Sequence, residues 1–508
     1  MQKNSFKVMA LIAVMGLTSS LTLISCSDDN TVTTTDTRHW TTDGGLKAAD
    51  NLLFNDNQIG NGDKEFVFTG KQTLKKGTYL LKGWVYVADG AELTIEPGTI
   101  IKGDKQTMAT IIVERGGKLI AQGTKDAPIV FTSNAPKGQR RPGDWGGLIL
   151  CGKAPHNAGQ AQIEGGPRTK HGGNDVHDNS GVLSYVRVEF AGYPFATDQE
   201  INGVTFGSVG DGTKVDHVQV SYSNDDSYEW FGGTVNCKHL IAFNGWDDDF
   251  DTDNGFSGHV QYGLSVRDPR IADKSQSNGF ESDNDASGST ATPTTSAVFS
   301  NMTFIGPKQI DSDFANTADY ITGGSLNPNN GSGLGKYQSA MQIRRGSRLN
   351  CINSVALGWP IGLIIDSEKG DTREQAKAGN IRLQNVWFGN MGVTGSDANK
   401  EYRDVLVNFV NKKPVADETQ QSYSTTFFLA QNGNRVATLS EMLLTGKSLF
   451  AGLRADFLPA AGSPLLNAAS FDGVSSNWFD KVSYIGAFST TADWLQGWTN
   501  FDPENTEY

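Results

Sequence analysis

The sequence predicts an all-β protein whose body is a right-handed parallel β-helix, closed by a short helical and aromatic C-terminal cap. Three observations lead to this fold class: many glycines, few charges and recurring short strands. The chain of 508 residues contains 59 Gly, and 19% of its residues are charged. This richness in turn-forming residues is typical of strand-and-turn proteins rather than helical ones.

The short strands recur with a period of roughly 20 to 30 residues, which is the range of solenoid repeats. Val113 and Leu119 repeat Val87 and Leu93 at one common interval, and a Gly-Thr pair follows each run. Because one coil of this length cannot bury its apolar side alone, successive coils must stack and share a core. The sequence therefore predicts a solenoid over residues 65–430.

The middle of the chain repeats most clearly. Tyr228-Glu229-Trp230 is followed one period later by Phe250-Asp251-Thr252. Phe280-Glu281-Ser282 is a third copy, delayed by an insertion near residues 267–276. In a stacked solenoid this spacing places aromatic on aromatic and carboxylate on carboxylate in adjacent coils.

Three histidines precede apolar strand positions in the same region. His217, His239 and His259 recur at nearly equal intervals, which predicts a column on one face. Stacked imidazoles can ligate a transition metal, whereas a solvated polar face explains the same pattern. The loop at residues 171–178 has ligand-type residues too, and its Gly and Asn content favours a polar turn.

The N-terminus has the features of a bacterial lipoprotein leader. Residues 1–25 combine two lysines with a mostly apolar run, and Leu23-Ile24-Ser25-Cys26 resembles a lipobox. The resemblance implies cleavage before Cys26 and acylation of that cysteine. The stretch to residue 64 is rich in Thr, Asp, Asn and Gly, so we expect residues 26–64 to form a tether and lead-in. The acidic run after Cys26 resembles a surface-export signal, so we expect a lipid-anchored protein of the outer membrane, exposed at the cell surface.

Residues 431–508 are expected to form the last coils and the cap. Thr438 and Glu441 fit a capping box at the start of a short helix. Such a helix can cover the open end of a solenoid, where strand edges are otherwise unpaired. We expect the aromatic tail to pack there too; its residues are Trp478, Phe479, Trp494, Trp498 and Phe501. The cysteines after Cys26 are odd in number and widely spaced, which predicts free, core-facing thiols.

Acidic residues are concentrated in one segment. Thirteen acidic and four basic side chains lie between residues 225 and 285. If Glu229 and Asp251 stack on adjacent coils, their carboxylates are about 4.8 Å apart and repel by about 3 to 4 kcal/mol. Ca²⁺ binds oxygens at about 2.3–2.6 Å, so two ligands facing each other across the ion fit one coil step.

We therefore predict a divalent cation site, with Ca²⁺ as the expected ion. Its candidate ligands are Asp226, Glu229, Asp248, Asp249, Asp251, Asp253, Glu281 and Asp283. Two alternatives relieve the same repulsion: an acid binds a proton, or basic residues cap the column. Arg344 and Arg345 lie on the next clear coil after Glu281 and are suited to that pairing.

Aromatic side chains are interspersed among these acids. Their alternation favours an internal stack, while some could form an outward platform for a sugar ring. The candidate ligand-binding residues are Trp230, Trp246, Arg344 and Arg345.

Several of these motifs resemble a family of Gram-negative surface lipoproteins. The motifs are Glu164-Gly165-Gly166, Ser223–Asp226, Glu229–Gly233, Asp247–Asp253, Asn278–Asp283 and Gly497–Pro503. The resemblance covers nearly all of the chain after the tether. It implies a β-helix body on a surface lipoprotein, and it implies no particular reaction.

The formal net charge of −13 excludes the basic footprint of a nucleic-acid-binding protein. The anchor, the tether and the long body favour a binding or accessory protein that captures a glycan or docks on an outer-membrane transporter. The alternative is a polysaccharide lyase or glycoside hydrolase, since β-helices support both activities. No residue is assigned a catalytic role, and the expectation inclines against an enzyme.

Overall fold

The computed structural model describes residues 48–196, 199–327 and 331–508. The predicted leader, Cys26 and most of the tether therefore lie outside the described residues. Within the described part of the chain, no helix has the length and apolarity needed to cross a membrane. The described residues all fall in one compact unit, residues 38–508.

Two long parallel sheets dominate the structure, as the sequence predicts for a parallel β-helix. In sheet A, eleven strands lie side by side in chain order, one from each coil. The strands of sheet A are Phe66–Phe68, Trp84–Val87, Thr110–Val113, Gly147–Cys151, Val204–Gly207, Tyr228–Phe231, Phe250–Asp253, Glu281–Ser282, Ser339–Ile343, Ile361–Ile365 and Val393–Ser396. The order confirms that consecutive coils stack directly on one another.

Sheet B contains nineteen strands that form two parallel ladders. Its strands are Leu53–Asn55, Gln58–Ile59, Lys71–Leu74, Thr78–Leu81, Glu92–Ile95, Ile100–Gly103, Lys118–Gln122, Ile129–Ser133, Gly181–Glu189, Lys214–Ser221, Asn236–Phe243, His259–Val266, Val298–Ser300, Thr303–Ile305, Asn350–Ile352, Val355–Leu357, Leu383–Gln384, Trp387–Gly389 and Arg435–Val436. The pairing of the first two strands is antiparallel. Four long strands in the middle contribute to both ladders.

Short elements fill the connections. Four two-stranded antiparallel hairpins pair Ala161–Gln162 with Lys170–His171, Pro194–Ala196 with Gln199–Glu200, Leu406–Val410 with Lys413–Asp417, and Leu444–Thr445 with Leu458–Pro459. The α-helices are Pro307–Ile310, Thr372–Lys377, Tyr423–Ala430 and Leu439–Met442. The 3₁₀ helices are Gly324–Leu326, Pro464–Asn467, Asp493–Leu495 and Pro503–Asn505.

The registers agree with the predicted periods. Val87 is opposite Val113, and Leu93 is opposite Leu119. Glu229 is opposite Asp251, and Asp251 is in turn opposite Glu281 in spite of the insertion. The two-residue alternation of each strand turns the apolar side chains inward, where rings stack between coils. Tyr228 and Phe250, for example, have ring centroids 5.5 Å apart.

The four long strands of sheet B bend at a residue with left-handed backbone geometry. These residues are Tyr185, His217, His239 and Tyr262, with φ between 50° and 65°. In later coils Asn301, Asn353 and Asn385 take the same corner position. Asn adopts this conformation more easily than most residues, because its short side chain can hydrogen-bond locally. The Asn385 amide donates to Asn353 Oδ1 over 3.1 Å, which links adjacent corners.

The C-terminal end of the solenoid is covered by a helix. Tyr423–Ala430 packs against the last strands of sheet A, and Phe428 stacks on Phe388 with 4.1 Å between ring centroids. The capping box of Thr438 and Glu441 is present at the start of Leu439–Met442, as predicted. Cys151, Cys237 and Cys351 are buried free thiols, which also agrees with the sequence.

The aromatic tail does not lie where the sequence led us to expect. It runs back along the outer face of sheet B: Gln261 donates to Asp480 O, and Gln219 donates to Asn500 O. The Tyr508 hydroxyl donates to Glu189 over 2.6 Å. Trp494, Trp498 and Phe501 thus cover the flank of the middle coils rather than the open end, because the outward side chains there offer an apolar surface.

Candidate metal centre

The outer face of sheet A has a column of acidic side chains. Tyr228 and Trp230 point into the core, so Glu229 between them points outward. The parallel register then places Asp251, Glu281 and finally the buried Gln342 at the same position in the next three coils. The sequence thus arranges three carboxylates at successive interstrand steps of about 4.8 Å.

The turns that precede these strands add a second row of acids. Asp226 and Asp248 stand one period apart, at equivalent positions in consecutive coils. The Asp248 N–H donates to Asp226 Oδ1 over 2.8 Å, and the Asn278 N–H donates to Asp248. Each carboxylate therefore binds a backbone N–H of the following coil with one oxygen, which fixes its position beside the column.

Together these groups line a cavity of about 230 Å³. This volume is below the usual range for drug-sized ligands, and it suits ions with their waters or one small group. Nine acidic and two basic side chains line the cavity: Glu164, Asp225, Asp226, Glu229, Asp247, Asp248, Asp251, Asp273 and Glu281, with Lys274 and Arg344. Such an excess of negative charge attracts cations.

The carboxylates converge in three overlapping triads, within each of which one oxygen per residue lies within 4.8 Å of the others. The triads are Asp225/Asp226/Asp247, Asp226/Glu229/Asp251 and Asp248/Asp251/Glu281. Asp226 and Asp251 each belong to two triads and are placed to bridge neighbouring positions. Two oxygens on opposite sides of a Ca²⁺ ion are about 4.6–5.2 Å apart, so the spacing fits that ion.

Two carboxylate oxygens of the triads have no partner inside the protein. Among the described residues, Oδ1 of Asp247 and Oδ1 of Asp251 are buried and accept no hydrogen bond. A buried acceptor without a partner is costly, and a cation that ligates it removes that cost. The donor set of the cavity therefore fits an oxygen-preferring divalent ion.

The protonation equilibria of the cluster agree with this geometry. Burial, with repulsion from neighbouring acids as a further cause, raises the pKa of Asp226, Glu229 and Asp251 well above the ordinary values. The same causes raise the pKa of Asp247 and Asp248. In the absence of a cation these raised pKa values favour the protonated carboxyls, and a bound divalent ion would displace the protons.

Arginines satisfy the far end of the column, as one of the sequence alternatives proposed. Arg344 pairs with Glu281, and its Nε lies 2.9 Å from Asp283 Oδ1. Arg345 Nη1 is 2.6 Å from Asp283 Oδ2. Asp283 is thereby neutralised and belongs to none of the triads, and Asp253 also lies outside them. Arg345 reaches Asp283 rather than Glu281.

Asp249 is not a cavity residue, which corrects the predicted ligand set. Its side chain and that of Arg267 are both fully buried, with Oδ1 and Nη1 2.7 Å apart. Ser265 also donates to the Asp249 carboxylate. Burial raises the pKa of Asp249 to about 6, although Arg267 opposes the shift. The carboxylate turns toward the strand end of sheet B because the chain bends at this position.

The two tryptophan candidates are also corrected. Trp230 and Trp246 have no exposed surface, so neither ring is available to stack on a sugar outside the protein. Trp230 belongs to the internal aromatic stack, with Phe256 5.4 Å away. Trp246 packs against Ile271 and Leu326 under a surface loop. The internal alternative for the aromatic residues is therefore the one the structure adopts.

The sequence reasoning did not assign four acids of the cavity: Asp225, Asp247, Glu164 and Asp273. Asp225 and Asp247 have the same spacing as Glu229 and Asp251, so the period could have identified them. Glu164 and Asp273 come from loops outside the repeat. No periodic signal indicates where such loops lie.

The three-histidine column does not form. His217 and His239 stack with ring centroids 4.2 Å apart, but Tyr262 takes the next corner position. His259 lies elsewhere and bonds to Asn236. The Nδ1 atoms of His217 and His239 lie 2.9 and 2.7 Å from the same Asp216 oxygen. Asp216, His217 and His239 have ligand atoms within 4.8 Å of one another, but both Nδ1 atoms already contact the same Asp216 oxygen.

The residues of the loop at 171–178 also act separately. His171 is buried with Nδ1 2.8 Å from Ser208 Oγ, while the exposed His177 pairs with Asp211 over 2.6 Å. Asp178 binds Ser180 over 3.2 Å. No triad of metal-ligating atoms is found in this loop among the described residues.

The fold and the acidic cavity can now be compared with known proteins. A family profile described as a pectate-lyase-like β-helix domain matches residues 67–440. The chain belongs to this family. The match covers sheet A and the whole acidic cavity, and membership of the pectate-lyase-like β-helix family accounts for the two-sheet solenoid. Searches of curated proteins and of solved structures found no significant match.

Proposed function

We propose that this β-helix protein binds a glycan at the bacterial cell surface and that Ca²⁺ occupies its acidic cavity. The observation that carries the proposal is the overlap of the three carboxylate triads in one cavity. A cation held there presents open coordination positions to oxygen-rich ligands, and the hydroxyl and carboxyl groups of a saccharide are such ligands.

The donor set favours Ca²⁺ over other divalent ions. All nine acidic side chains of the cavity offer oxygen, and no His or Cys among the described residues lines it. Oxygen donors suit Ca²⁺ and Mg²⁺ rather than Zn²⁺ or Cu²⁺. Mg²⁺ demands near-ideal octahedral geometry and keeps several waters, whereas Ca²⁺ accepts many carboxylates in irregular arrangements. A column whose acids bridge neighbouring positions matches the irregular coordination that Ca²⁺ accepts.

The geometry supports binding better than glycosidic hydrolysis. An inverting glycosidase needs two carboxyls about 6.5–9.5 Å apart, and a retaining one about 5–5.5 Å. Within each triad one oxygen per residue lies within 4.8 Å of the others, a spacing at which the carboxylates can share one ion. Asp225 and Asp249 cannot form such a pair, because Asp249 is buried against Arg267.

A polysaccharide lyase is the second candidate, and the family match favours it. Its chemistry requires a base beside the cation. Arg344 lines the cavity, yet Glu281 and Asp283 both bind its guanidinium and, against the effect of burial, raise its pKa. A guanidinium held in this way does not accept a proton. Release of unsaturated uronates from an acidic polysaccharide, lost in Asp248→Ala, would favour the lyase.

The anchor completes the proposal. Acylated Cys26 would hold the protein in the outer membrane, and the residues between Cys26 and the first strand of sheet B, Leu53–Asn55, would act as tether, so that the cavity faces outward or toward a transporter. The lipobox residues support this placement. Labelling with a radioactive fatty acid tests it: wild-type protein should incorporate label and sediment with membranes, and Cys26→Ala should do neither.

Calcium titration by calorimetry is the experiment for the cavity. Mature protein freed of metal by a chelator should bind Ca²⁺ more tightly than Mg²⁺. Its Tm should rise with the Ca²⁺ concentration, since a ligand that binds only the folded state stabilises it. Asp251→Asn should weaken Ca²⁺ binding at least tenfold, because Asp251 belongs to two triads. Asp253→Asn is the matched control, outside the triads, and should change affinity little.

Glycan binding is then measured with and without chelator. We expect retention of surface polysaccharides in Ca²⁺ and loss of retention in chelator or in Asp251→Asn. A Tm that is the same in chelator and in millimolar Ca²⁺, with no binding heat, would remove the cation from the proposal.

A further inference from the structure

A second cavity lies beside the acidic one and has the opposite charge. Its volume is about 520 Å³, within the usual range for small-ligand sites. Aromatic side chains and two lysines line it: Phe314, Trp359, Tyr402, Lys308 and Lys336. We call it the lysine groove. Neither the candidate site nor the predicted ligand residues include any of these five.

Among the described residues, the two lysines of the groove have no acidic partner. In the parts of the chain that the structure describes, no carboxylate lies within ion-pair distance of Lys308 or Lys336. Unpaired lysines in one groove are unusual in a protein of net charge −13. Lys336 extends over the Tyr402 ring at 5.9 Å, so its ammonium group lies at the rim of the groove. This places positive charge next to an aromatic surface.

The aromatic wall is held rigidly. Phe314 meets the buried Tyr337 edge-on at 5.8 Å, and Trp359 meets the same ring at 5.9 Å. Asn316 fixes the loop below Phe314, because its side chain both accepts from Tyr337 N–H and donates to Tyr337 O. A preorganised wall loses little side-chain entropy when a flat ligand packs on it.

The groove and the acidic cavity share a wall. The Tyr402 hydroxyl, which lines the groove, is 3.0 Å from Gln276 Oε1, and Gln276 lines the acidic cavity. The same hydroxyl is 3.1 Å from Tyr337 O. One extended ligand can therefore contact both cavities across the Gln276–Tyr402 contact.

From these observations we propose that the lysine groove binds an acidic sugar ring. The apolar face of the ring packs on Phe314 and Tyr402, and its carboxylate or sulfate group pairs with Lys308 and Lys336. The charge complementarity excludes a free cation as occupant, and the aromatic wall favours a ring over a small inorganic anion. Binding in the groove needs no metal. Only its alignment with a cation-bound neighbouring sugar rests on the proposed function.

The test uses the mature chain and three trisaccharides: trigalacturonate, sulfated cellotriose and unmodified cellotriose. Binding is measured by calorimetry in chelator, so that the acidic cavity holds no divalent ion. We expect both acidic trisaccharides, or one of them, to bind with an affinity that falls as salt rises, and cellotriose to bind at least tenfold more weakly. The comparison of the two acids identifies whether carboxylate or sulfate is preferred.

Two variants locate the site. Lys308→Ala combined with Lys336→Ala should weaken the acidic trisaccharides at least tenfold, and neither side chain is buried. The matched control replaces the exposed Lys412 and Lys413, which lie at the tip of the hairpin formed by Leu406–Val410 and Lys413–Asp417 and do not line the groove, and should bind as wild type. Equal binding of cellotriose, or unchanged binding by the groove variant, overturns the proposal.

The two proposals fail in different ways. If acidic sugars bind only with Ca²⁺, and Asp251→Asn abolishes binding while the groove variant retains it, the cavity alone binds sugar and the groove proposal is wrong. If acidic sugars bind in chelator and Ca²⁺ has no effect on Tm, the groove stands and the cation proposal fails.

Discussion

Asp251 lies directly opposite Glu229 in the parallel register of sheet A, and Asp251 Oδ1 is buried without a hydrogen-bond partner. Two carboxylates at one interstrand step repel each other unless a proton or a cation lies between them. The fold keeps both carboxylates at this step, because the rings of Tyr228 and Phe250 stack beneath them and fix the strands. The stability of the protein should therefore depend on how the cluster is neutralised.

The first prediction concerns pH in the absence of metal. Burial raises the pKa of Glu281 to about 7 and that of Asp253 to about 8. A carboxyl whose folded-state pKa is raised stabilises the fold below the unfolded pKa, and this stability is lost as pH rises through the folded value. In chelator, Tm should therefore fall between about pH 5 and pH 8, and Ca²⁺ should reverse the fall.

Two buried histidines have the opposite effect on the pH dependence of stability. They limit the pH range in which the effect of the carboxyl groups can be measured. Burial lowers the pKa of His156 to about 4 and that of His171 to about 3, so their contribution is lost as pH falls below about 6.5. Between about pH 7 and 8 they are largely neutral in both states, because the ordinary histidine pKa is about 6.5. If the Tm measured in chelator stays level or rises across that interval, the carboxyl groups of the cluster do not have the raised pKa values described above.

The second prediction concerns Arg344, which neutralises one end of the column. Arg344→Gln leaves Glu281 and Asp283 with less positive charge, although Arg345 still binds Asp283. Removing one member of a buried ion pair costs about 3–5 kcal/mol, so the chelated protein should unfold at lower denaturant concentration. Glu281 becomes free to ligate, and Ca²⁺ should raise Tm more than in wild type.

The exposed Arg403, which pairs with Glu401 and Glu418, provides the control. Arg403→Gln should leave both stability and the Ca²⁺-induced shift nearly unchanged, because exposed ion pairs are screened by solvent. If Arg344→Gln behaves like this control, then Arg344 does not neutralise the column.

The third prediction concerns the C-terminal tail. Trp498 is fully buried against sheet B, with its ring 5.9 Å from Tyr185 and 5.6 Å from His217. Trp498→Ala should cost about 3–5 kcal/mol in urea unfolding and should expose the tail to protease. Trp478→Ala, at a half-buried position of the same tail, should cost clearly less. Equal effects would mean that the tail does not stabilise the middle coils through Trp498.

The register of the acidic column can be predicted from the sequence, whereas the residues that take the corner positions cannot. Glu229 and Asp251 lie one undisturbed repeat apart, because no residue is inserted between their coils. The step from Lys238 to Gln261 is longer by a single residue than the step from Asp216 to Lys238, so Tyr262 lies opposite His239. His259 precedes Tyr262 on the same strand and lies beside Asn236 instead. Spacing alone does not show on which side of the strand such a residue is added.

Two other features could not be predicted from the sequence. They are the direction of side chains at bends and the contacts between residues far apart in the chain. Asp249 and Trp246 lie where the chain turns, and the two-residue alternation that identifies outward positions ends there. The tail meets sheet B through pairs such as Gln219 and Asn500, separated by 281 residues. A contact of that range leaves no period in the sequence, whereas stacked coils do.

The last prediction tests the buried ion pair of Asp249 and Arg267. Asp249 is the residue that the sequence wrongly predicted as a metal ligand. Arg267 Nη1 donates to Asp249 Oδ1 and also to the Asp247 carbonyl, both over 2.7 Å. Arg267→Met fills a similar volume but leaves the buried Asp249 carboxylate without a cation and with the Ser265 hydroxyl as donor, which should cost about 3–5 kcal/mol. Adding Asp249→Asn removes the charge, so the double variant should recover part of the loss. Urea unfolding in chelator measures both variants.

Arg270, whose guanidinium lies over the Tyr320 ring at 3.8 Å, is the matched control, since it is exposed. Arg270→Met should change the unfolding free energy by less than about 1 kcal/mol. If the second substitution restores nothing, the cost of Arg267→Met comes from the lost carbonyl contacts at residues 246 and 247 rather than from an unpaired charge. In either case Ca²⁺ affinity should stay close to wild type, because Asp249 faces away from the cavity.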